Sequence, residues 1–208
     1  MGNVQCRSDV LFHQIQNHEW EKVIKRCESH PLDTTYRISS SSSEYEIHED
    51  LSNDEILAGI YPLHEACKTP SVPVEVIRAL IRANPSSLSY RTVSGLTPFH
   101  LLLCSDVNAT VEHVKCFLDA SPGCLFKCNV EICDEELMVV EPSPLHLACG
   151  NPNVNWDVVE LMLRHAPDAA LLRYVADGCT PFHYGKEPVH LLFPLYNAQF
   201  LISITPQH

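Results

Sequence analysis

The sequence of 208 residues predicts an all-α fold, a solenoid of stacked helix-turn-helix repeats joined by short hairpin turns. The first observation is a short motif ending in Pro, an apolar residue and His, which recurs at steps of 36, 46 and 37 residues. Its copies are Tyr61-Pro62-Leu63-His64, Thr97-Pro98-Phe99-His100, Ser143-Pro144-Leu145-His146 and Thr180-Pro181-Phe182-His183. The second is an apolar block whose final Pro lies 21 or 22 residues after the motif His in the first three copies. Two motifs at a nearly fixed offset indicate a repeated structural unit.

The first motif predicts the start of a short helix. Thr97, Ser143 and Thr180 stand at the N-cap, where a hydroxyl accepts hydrogen bonds from free N–H groups of the first turn. The Pro that follows each of them suits the first helical position, because an N–H there has no partner within the helix. An apolar run such as residues 101–103 then indicates that this helix is short and buried.

The second block predicts an amphipathic helix. Apolar residues at i, i+1, i+4 and i+5, such as Val76, Ile77, Leu80 and Ile81, share one helix face. The Pro that ends the block stops the helix. Helices this short are unstable alone, so each pair must bury its apolar face against the next pair. The equivalent blocks are residues 23–31, 76–85, 113–122 and 158–167.

These residues resemble the ankyrin repeat, in the divergent form that is abundant in diatoms and related algae. Ser143-Pro144-Leu145-His146-Leu147-Ala148 matches the family's T-P-L-H-x-A, and the turns that begin at Gly95 and Gly178 match its G-x-T-P-L-H. The resemblance covers about residues 8 to 185. It implies a hairpin between repeats whose Gly adopts a positive backbone angle, and a motif His that bonds the backbone and orders this turn. The chain differs in having Pro where the family usually ends its second helix with Gly.

The chain divides into five predicted segments. Residues 1–7 are an N-terminal tail, and residues 8–37 are a degenerate first repeat that contains Leu11-Phe12-His13. Residues 38–60 are an acidic, Ser-rich insert. Residues 61–185 hold the clear repeats, interrupted by a second acidic insert at residues 129–142. Residues 186–208 are irregular, and three interpretations stay open: docking on the last repeat, pairing with another chain, or a truncated gene model.

The charge balance limits the classes of partner. The chain carries 26 Asp and Glu against 14 Lys and Arg, a net charge of −12. Nucleic acids and anionic membranes require a basic face, so neither is expected as the main partner. If the two acidic inserts project on one side, they form a negative patch that suits a basic peptide. The run Ser39 to Ser43 is interpreted as a solvated loop, with phosphorylation of Ser41 and Ser43 as the alternative.

The N-terminus predicts a cytoplasmic location. Residues 1–8 lack the apolar core of a signal peptide, and the ten Cys are therefore expected to be reduced thiols. We expect no membrane attachment unless Gly2 is myristoylated and Cys6 is palmitoylated, which together would form a two-signal anchor.

Two H-x-x-C pairs raise the question of metal binding. His64 with Cys67, and His146 with Cys149, share a helix face, and both residue types bind zinc. A metal-binding or redox-sensing module is therefore the alternative function. The favoured interpretation places each His in the backbone bonds that the resemblance implies, and each Cys in the core as a small hydrophobe. The cysteines without the paired spacing of common zinc sites are Cys116, Cys124, Cys128 and Cys133.

The predicted function is a non-enzymatic scaffold that binds a partner protein. The sequence has no phosphate-binding Gly-rich loop, no G-x-S-x-G and no H-E-x-x-H, so we expect no catalysis, cofactor, metal or small-molecule substrate. Repeat arrays bind partners on the surface formed by hairpin tips and first helices. Arg and Tyr are enriched in binding hot spots, and Tyr90 is expected to contribute little to stability. The candidate partner-binding residues are Tyr90, Arg91, Thr92, Val93, Arg173, Tyr174, Val175 and Ala176.

Overall fold

A computed structural model describes residues 7–36, 59–104, 109–126, 130–133, 136–139 and 141–185. The N-terminal tail up to Cys6, most of the first acidic insert with Ser39 to Ser43, and the C-terminal segment 186–208 lie outside these ranges. The sequence-based interpretations of those segments therefore stay predictions.

The described residues are mostly helical, and the helices come in pairs. The first pair has two ten-residue helices, and the later pairs have a seven-residue and a ten-residue helix. A 3-10 helix that begins at Pro follows the second helix of each pair. The α-helices are α1 Arg7–Gln16, α2 Trp20–Ser29, α3 Pro62–Lys68, α4 Val74–Ala83, α5 Pro98–Cys104, α6 Val111–Ala120, α7 Pro144–Gly150, α8 Trp156–His165 and α9 Pro181–Tyr184. The 3-10 helices are Pro31–Thr35, Pro85–Ser89, Pro122–Phe126 and Pro167–Leu171.

The pairs stack into two layers. The first helices contact one another in the order α1, α3, α5, α7 and α9, and the second helices in the order α2, α4, α6 and α8. Each helix also packs against the other member of its pair, as α3 does on α4 and α7 on α8. The main contacts of each helix are with its own pair and with neighbouring pairs, and the apolar faces form one continuous core between the layers.

The predicted helix starts are confirmed. Helices α3, α5, α7 and α9 begin at the motif Pro. The preceding residues Tyr61, Ser143 and Thr180 are in the extended conformation. The Ser143 hydroxyl accepts a hydrogen bond from the backbone N–H of His146 at 3.4 Å. The same residue satisfies a free N–H and fixes the entry of the chain into α7.

The helix ends show why Pro can replace Gly. The last residue before each Pro takes an extended φ, −147° at Asn84, −157° at Ser121 and −144° at Ala166. Its own N–H still bonds the carbonyl four residues earlier, as Asn84 does to Leu80 at 3.0 Å. Because the residue before Pro avoids the helical region, the α-helix stops there, and Pro begins a 3-10 turn without losing a needed donor.

The second helices bury the predicted face. Val76, Ile77, Leu80 and Ile81 of α4 are all buried. The equivalent face of α6 includes Phe117, whose ring lies 5.0 Å from that of Phe99 in α5, measured between centroids. These aromatic side chains join the two layers in the middle of the array.

The second acidic insert forms strands, which the all-α prediction lacks. Strand β1, Val130–Cys133, pairs antiparallel with β2, Glu136–Val139. Strand β2 then pairs in parallel with β3, Arg173–Tyr174, in the register Met138 opposite Arg173. The insert therefore extends a hairpin of the repeat array, because alternating apolar residues after Asn129 fit a strand better than a mobile loop.

The degenerate first repeat differs from the others at its motif. His13 is exposed, whereas His64, His100 and His146 are buried. Helix α1 runs through His13 as part of a ten-residue helix, with no Pro to place a cap three residues before it. Leu11, Phe12 and Ile15 instead supply its buried face.

Leu145→Ala should lower the free energy of unfolding by about 2–5 kcal/mol, since this fully buried side chain leaves a cavity between α7 and its neighbours. Urea denaturation followed by circular dichroism measures the loss. Val93→Ala is the control, because this side chain is 79% exposed and should change stability by under about 0.5 kcal/mol. Equal effects of the two substitutions would contradict the assignment of core and surface.

Candidate functional site

Each motif His closes the start of its own helix. The Nδ1 atoms of His64, His100, His146 and His183 accept a hydrogen bond from the N–H of the residue three positions earlier, at 3.3, 3.2, 3.2 and 3.0 Å. Where that residue is Ser or Thr, its hydroxyl also lies 2.7–2.8 Å from Nδ1. An Nδ1 that accepts an N–H bond carries no proton, so the neutral ring must carry its proton on Nε2.

The Nε2 atom of these rings bonds to the next repeat. His64 Nε2 donates to the carbonyl of Tyr90 at 3.1 Å, and His146 Nε2 donates to the carbonyl of Cys179 at 3.1 Å. Both carbonyls belong to the hairpin that follows the second helix. The backbone bonds of the motif His that the resemblance implies are therefore present at these two positions.

His100 departs from this pattern. Its Nε2 is buried and makes no hydrogen bond of normal geometry, although the backbone of Pro142 lies on that side of the ring. Pro142 ends the second acidic insert, which occupies the place of the ordinary hairpin. The insert thus removes one link between neighbouring repeats.

A further His, on a second helix, makes the same kind of bridge. His113 Nδ1 accepts from the N–H of Thr110 at 3.3 Å, and its Nε2 lies 2.9 Å from the carbonyl of Val72. Val72 precedes α4, so this ring joins α6 to the preceding repeat. The sequence contains the signal, Thr three residues before His, but outside the Pro motif.

Burial keeps the motif imidazole rings neutral. Loss of hydration lowers the pKa of His64 and of His100 from 6.5 to about 4, and it also lowers the pKa of His146. The hydrogen bonds from Nε2 to carbonyls of Tyr90 and Cys179 oppose this effect, because they favour a protonated ring. Neutral imidazoles therefore hold the repeats together.

The hairpins turn at the predicted glycines. Gly95 and Gly178 have φ of +78° and +68°, so the positive backbone angle is confirmed. An Arg closes each turn: Arg91 Nη1 donates to the carbonyl of Gly95 at 2.8 Å, and Arg173 Nη1 donates to that of Gly178 at 3.2 Å. The positive-φ Gly and the Arg bound to its carbonyl hold the two hairpins in similar conformations.

The candidate residues around the first hairpin lie at different depths. Tyr90 is half-buried, and its ring centroid lies 4.3 Å from that of buried Tyr61, so it supports the fold more than the sequence suggests. Arg91 also pairs with Glu141, with 2.6 Å between Nη1 and Oε2. The Thr92 hydroxyl accepts a bond from the N–H of Leu96 at 3.2 Å. Val93 alone among these four is fully at the surface, 79% exposed.

The second hairpin also has half-buried residues at its base and exposed residues at its tip. Arg173 and Tyr174 are half-buried in β3, beside the strand of the insert. Val175 and Ala176 are exposed at the tip, with Val175 39% exposed. At equivalent places in the two hairpins, therefore, Arg stabilises the turn and Val faces solvent.

One first-helix residue that the sequence analysis did not select lies beside the second hairpin. Tyr184 Oη donates to the Asp177 carboxylate at 2.5 Å, which places Tyr184 next to the second hairpin. Leu101 and Leu147 hold the equivalent positions of α5 and α7, one residue after the motif His, and are half-buried. We call Val93, Leu101, Leu147, Val175 and Tyr184 the hairpin-side surface. The signal in the sequence was an apolar residue directly after His.

The H-x-x-C pairs do not form open ligand sets. Both ring nitrogens of His64 and of His146 are occupied by backbone bonds. Cys67 and Cys149 are buried, and burial raises the pKa of both thiols, that of Cys149 to about 12. Thiols with such pKa values are inert as nucleophiles and poor metal ligands.

Within the described ranges, no three His, Cys, Asp or Glu side chains gather closely enough to hold a metal ion. The side chains of Cys128 and Cys133, two members of the spaced cysteine set, are not described. Among the helices of the described ranges, none has the length and apolar character needed to cross a bilayer.

Acid should destabilise the array. Above pH 6.5 the motif histidines are neutral in both the native and the unfolded chain, so their contribution is complete. Between pH 6.5 and about 4 the unfolded chain binds protons that native His64 and His100 do not, and stability falls by roughly 3 kcal/mol for each ring over this window. Urea denaturation at intervals of pH measures this slope.

His100→Asn provides the matched variant, because Asn can accept the Thr97 N–H bond but does not titrate. We expect the slope between pH 6.5 and 4 to decrease by about one proton. His13→Ala, at an exposed ring, should leave the slope unchanged. Imidazole resonances of His100 that titrate near pH 6.5 in the folded protein would contradict the assignment.

The two hairpin glycines should differ in their tolerance of Ala. At Gly178 a Cβ meets no atom within 4 Å, so Gly178→Ala should cost only the strain of the positive φ, about 1–2 kcal/mol. At Gly95 the Cβ would also collide with the Glu141 carboxylate, which pairs with Arg91. Gly95→Ala should therefore lower the denaturation midpoint further than Gly178→Ala, and equal midpoints would contradict this geometry.

Comparison with known proteins assigns no family. A scan against protein-family models finds no match, and a search of curated proteins finds no relative. The repeated residues and the surface that they form are therefore the evidence for the function of this protein.

Proposed function

We propose that this protein is a non-enzymatic scaffold that binds a partner protein through an array of ankyrin-like repeats. The observation that carries the proposal is the pair of equivalent hairpins, each of which uses Arg to stabilise its turn and exposes Val at its tip. Val93 is 79% exposed, so core packing does not explain its apolar side chain, and Val175 is 39% exposed.

The ankyrin-like architecture is supported by three features of the chain. The helix pairs make their main contacts with neighbouring pairs, in two layers. The motif His links its own helix to the hairpin of the next repeat at His64 and His146. The hairpins turn at Gly95 and Gly178 with positive φ. Local contacts of this kind are what a solenoid requires, because each repeat is stabilised by its neighbours.

The hairpin-side surface has the composition of a binding site. Leu101 and Leu147 stand in successive first helices, half-buried, and Tyr184 continues the row beside the second hairpin. Together with the two Val tips they offer scattered apolar area with an aromatic residue at one end. Removal of this apolar area from water on association is favourable, and Tyr is enriched in binding hot spots.

The charge of the neighbouring residues favours a basic partner. Glu65 and Asp177 border the row at its two ends, and the acidic insert of residues 129–142 pairs with the second hairpin through β2. Arg91 pairs with Glu141 and so offsets one carboxylate of the insert, and Arg173 is bound to the carbonyl of its own turn. A partner with Lys or Arg around an apolar segment complements both features. We place this interaction in the cytoplasm, in keeping with the reduced thiols expected from the sequence.

The test replaces both tips. Val93→Asp with Val175→Asp should abolish capture of the partner from extracts of the source cell, because the charges prevent apolar contact without disturbing the fold. Quantitative mass spectrometry of cross-linked complexes measures the change against the unaltered protein. Captured proteins should also dissociate as salt is raised, if basic segments are what they present.

Leu32→Asp is the matched control, because Leu32 is 71% exposed but lies on the 3-10 helix Pro31–Thr35, away from the tips. It should retain every partner. Circular dichroism and urea denaturation establish that all variants stay folded. The proposal fails if the tip variant and the control capture the same proteins in the same amounts.

A further inference from the structure

The small sheet formed by the second acidic insert has an outer edge. Strand β2 lies in the middle of this sheet, between β1 and β3. Strand β3 belongs to the second hairpin, where the Tyr174 N–H donates to the carbonyl of Cys179 at 2.9 Å. That side of the sheet therefore continues into the repeat array. On the other side, no strand of the described residues pairs with β1, Val130–Cys133.

The strand register shows which residues of β2 bond to β1. Successive residues of a strand direct their N–H and C=O groups to opposite sides. Because the Tyr174 N–H faces Cys179, the preceding residue Arg173 directs its groups toward β2. Met138 lies opposite Arg173 in this parallel pair. A residue opposite a bonded one in a parallel ladder directs its own groups the other way, so Met138 bonds to β1.

The outward backbone groups of β1 belong to Val130 and Ile132. Met138 lies opposite Glu131 in the antiparallel register, so these two residues exchange hydrogen bonds between β1 and β2. The residues on either side of Glu131 then direct their N–H and C=O groups away from β2. These groups form the pattern of donors and acceptors that an added strand requires.

The charge of this region favours one kind of added strand. The chain has no Lys or Arg from residue 128 to residue 163. Residues 130–136 contain four acidic residues, which are Glu131, Asp134, Glu135 and Glu136. A strand that carries Lys or Arg complements this charge. A second copy of β1 would instead bring carboxylates together, and like charges on paired strands are destabilising.

We propose that β1 binds a basic, extended segment of the partner protein by strand addition. The added segment exchanges main-chain hydrogen bonds with Val130 and Ile132 and lies at the outer edge of the sheet. The sheet joins this edge to the second hairpin, whose tip carries the exposed Val175. The proposal rests on the scaffold function and specifies the conformation and the charge of the partner. Main-chain bonds at the edge and apolar contacts at the tips are separate contributions to binding.

A synthetic peptide tests the edge. The probe is an eight-residue peptide of alternating Lys and Val, blocked at both ends, because it is basic and Val favours strands. Titration into the isotope-labelled full chain should shift the amide resonances of Val130 and Ile132 and slow their hydrogen exchange. The same peptide with N-methyl groups on its four central residues keeps its charge but loses its central donors. It should bind at least about tenfold more weakly.

Substitution of Ile132 tests the same bonds from the side of the protein. Ile132→Pro removes an outward N–H and leaves the ladder bonds of Glu131 in place, and an edge strand tolerates Pro at such a position. We expect it to weaken peptide binding about tenfold. Ile132→Thr is the matched control, because Thr keeps the N–H and also favours strands, so it should bind as the unaltered protein does. Circular dichroism establishes that both variants are folded.

Four results would overturn the proposal. The first is an absence of shifts at Val130 and Ile132, and the second is equal affinity for the plain and the N-methylated peptide, which means that charge alone attracts it. The third is an Ile132 amide that exchanges slowly before peptide is added, because another part of the chain then covers the edge. The fourth is a dimer in light scattering that Ile132→Pro dissociates, which assigns the edge to a second copy. None of these results concerns the tip variants, so the scaffold function fails or stands separately.

Discussion

The array depends on a neutral imidazole that makes two backbone bonds at once. In His64 and His146, Nδ1 accepts from the start of its own helix and Nε2 donates to the hairpin of the next repeat. Only the Nε2 tautomer can do both, and the buried site enforces it because a charged ring would lose its hydration. Helix starts and hairpin positions are thereby fixed relative to one another by the same side chain.

This link also explains why some hairpin residues hold the turn while others face solvent. The carbonyl that receives the imidazole proton must be held in place, and the turns achieve this with a positive-φ Gly and an Arg bound to its carbonyl. Between Arg and Gly, Thr92 and Asp177 also support the turns, because their side chains accept backbone N–H bonds from Leu96 and Cys179. Val93 and Val175 lie in the same stretches and are exposed.

Much of the local structure follows from the sequence, and the reasons are local. The N-cap at Ser143, the buried face of α4 and the turns at Gly95 and Gly178 depend on residues close in the chain, and the structure confirms them. Contacts between distant segments were not predictable. The pairing of Arg91 with Glu141 joins residues 50 positions apart, and the strand pairing of the insert depends on where the next repeat lies. The sequence predicts Tyr90 at the surface, but its ring packs on Tyr61. This contact joins residues that are far apart in the chain, so the local pattern does not reveal it.

The unpaired Nε2 of His100 has a consequence for how the chain can change in length. At the other described junctions, lengthening the hairpin would break a bond to a buried ring and leave the donor without compensation. At His100 no such bond is present within the described residues, and the insert that ends at Pro142 lies at this junction. The junction between the repeats of α5 and α7 is therefore the position at which this architecture tolerates an added loop. A sequence grafted there should disturb the other repeats least.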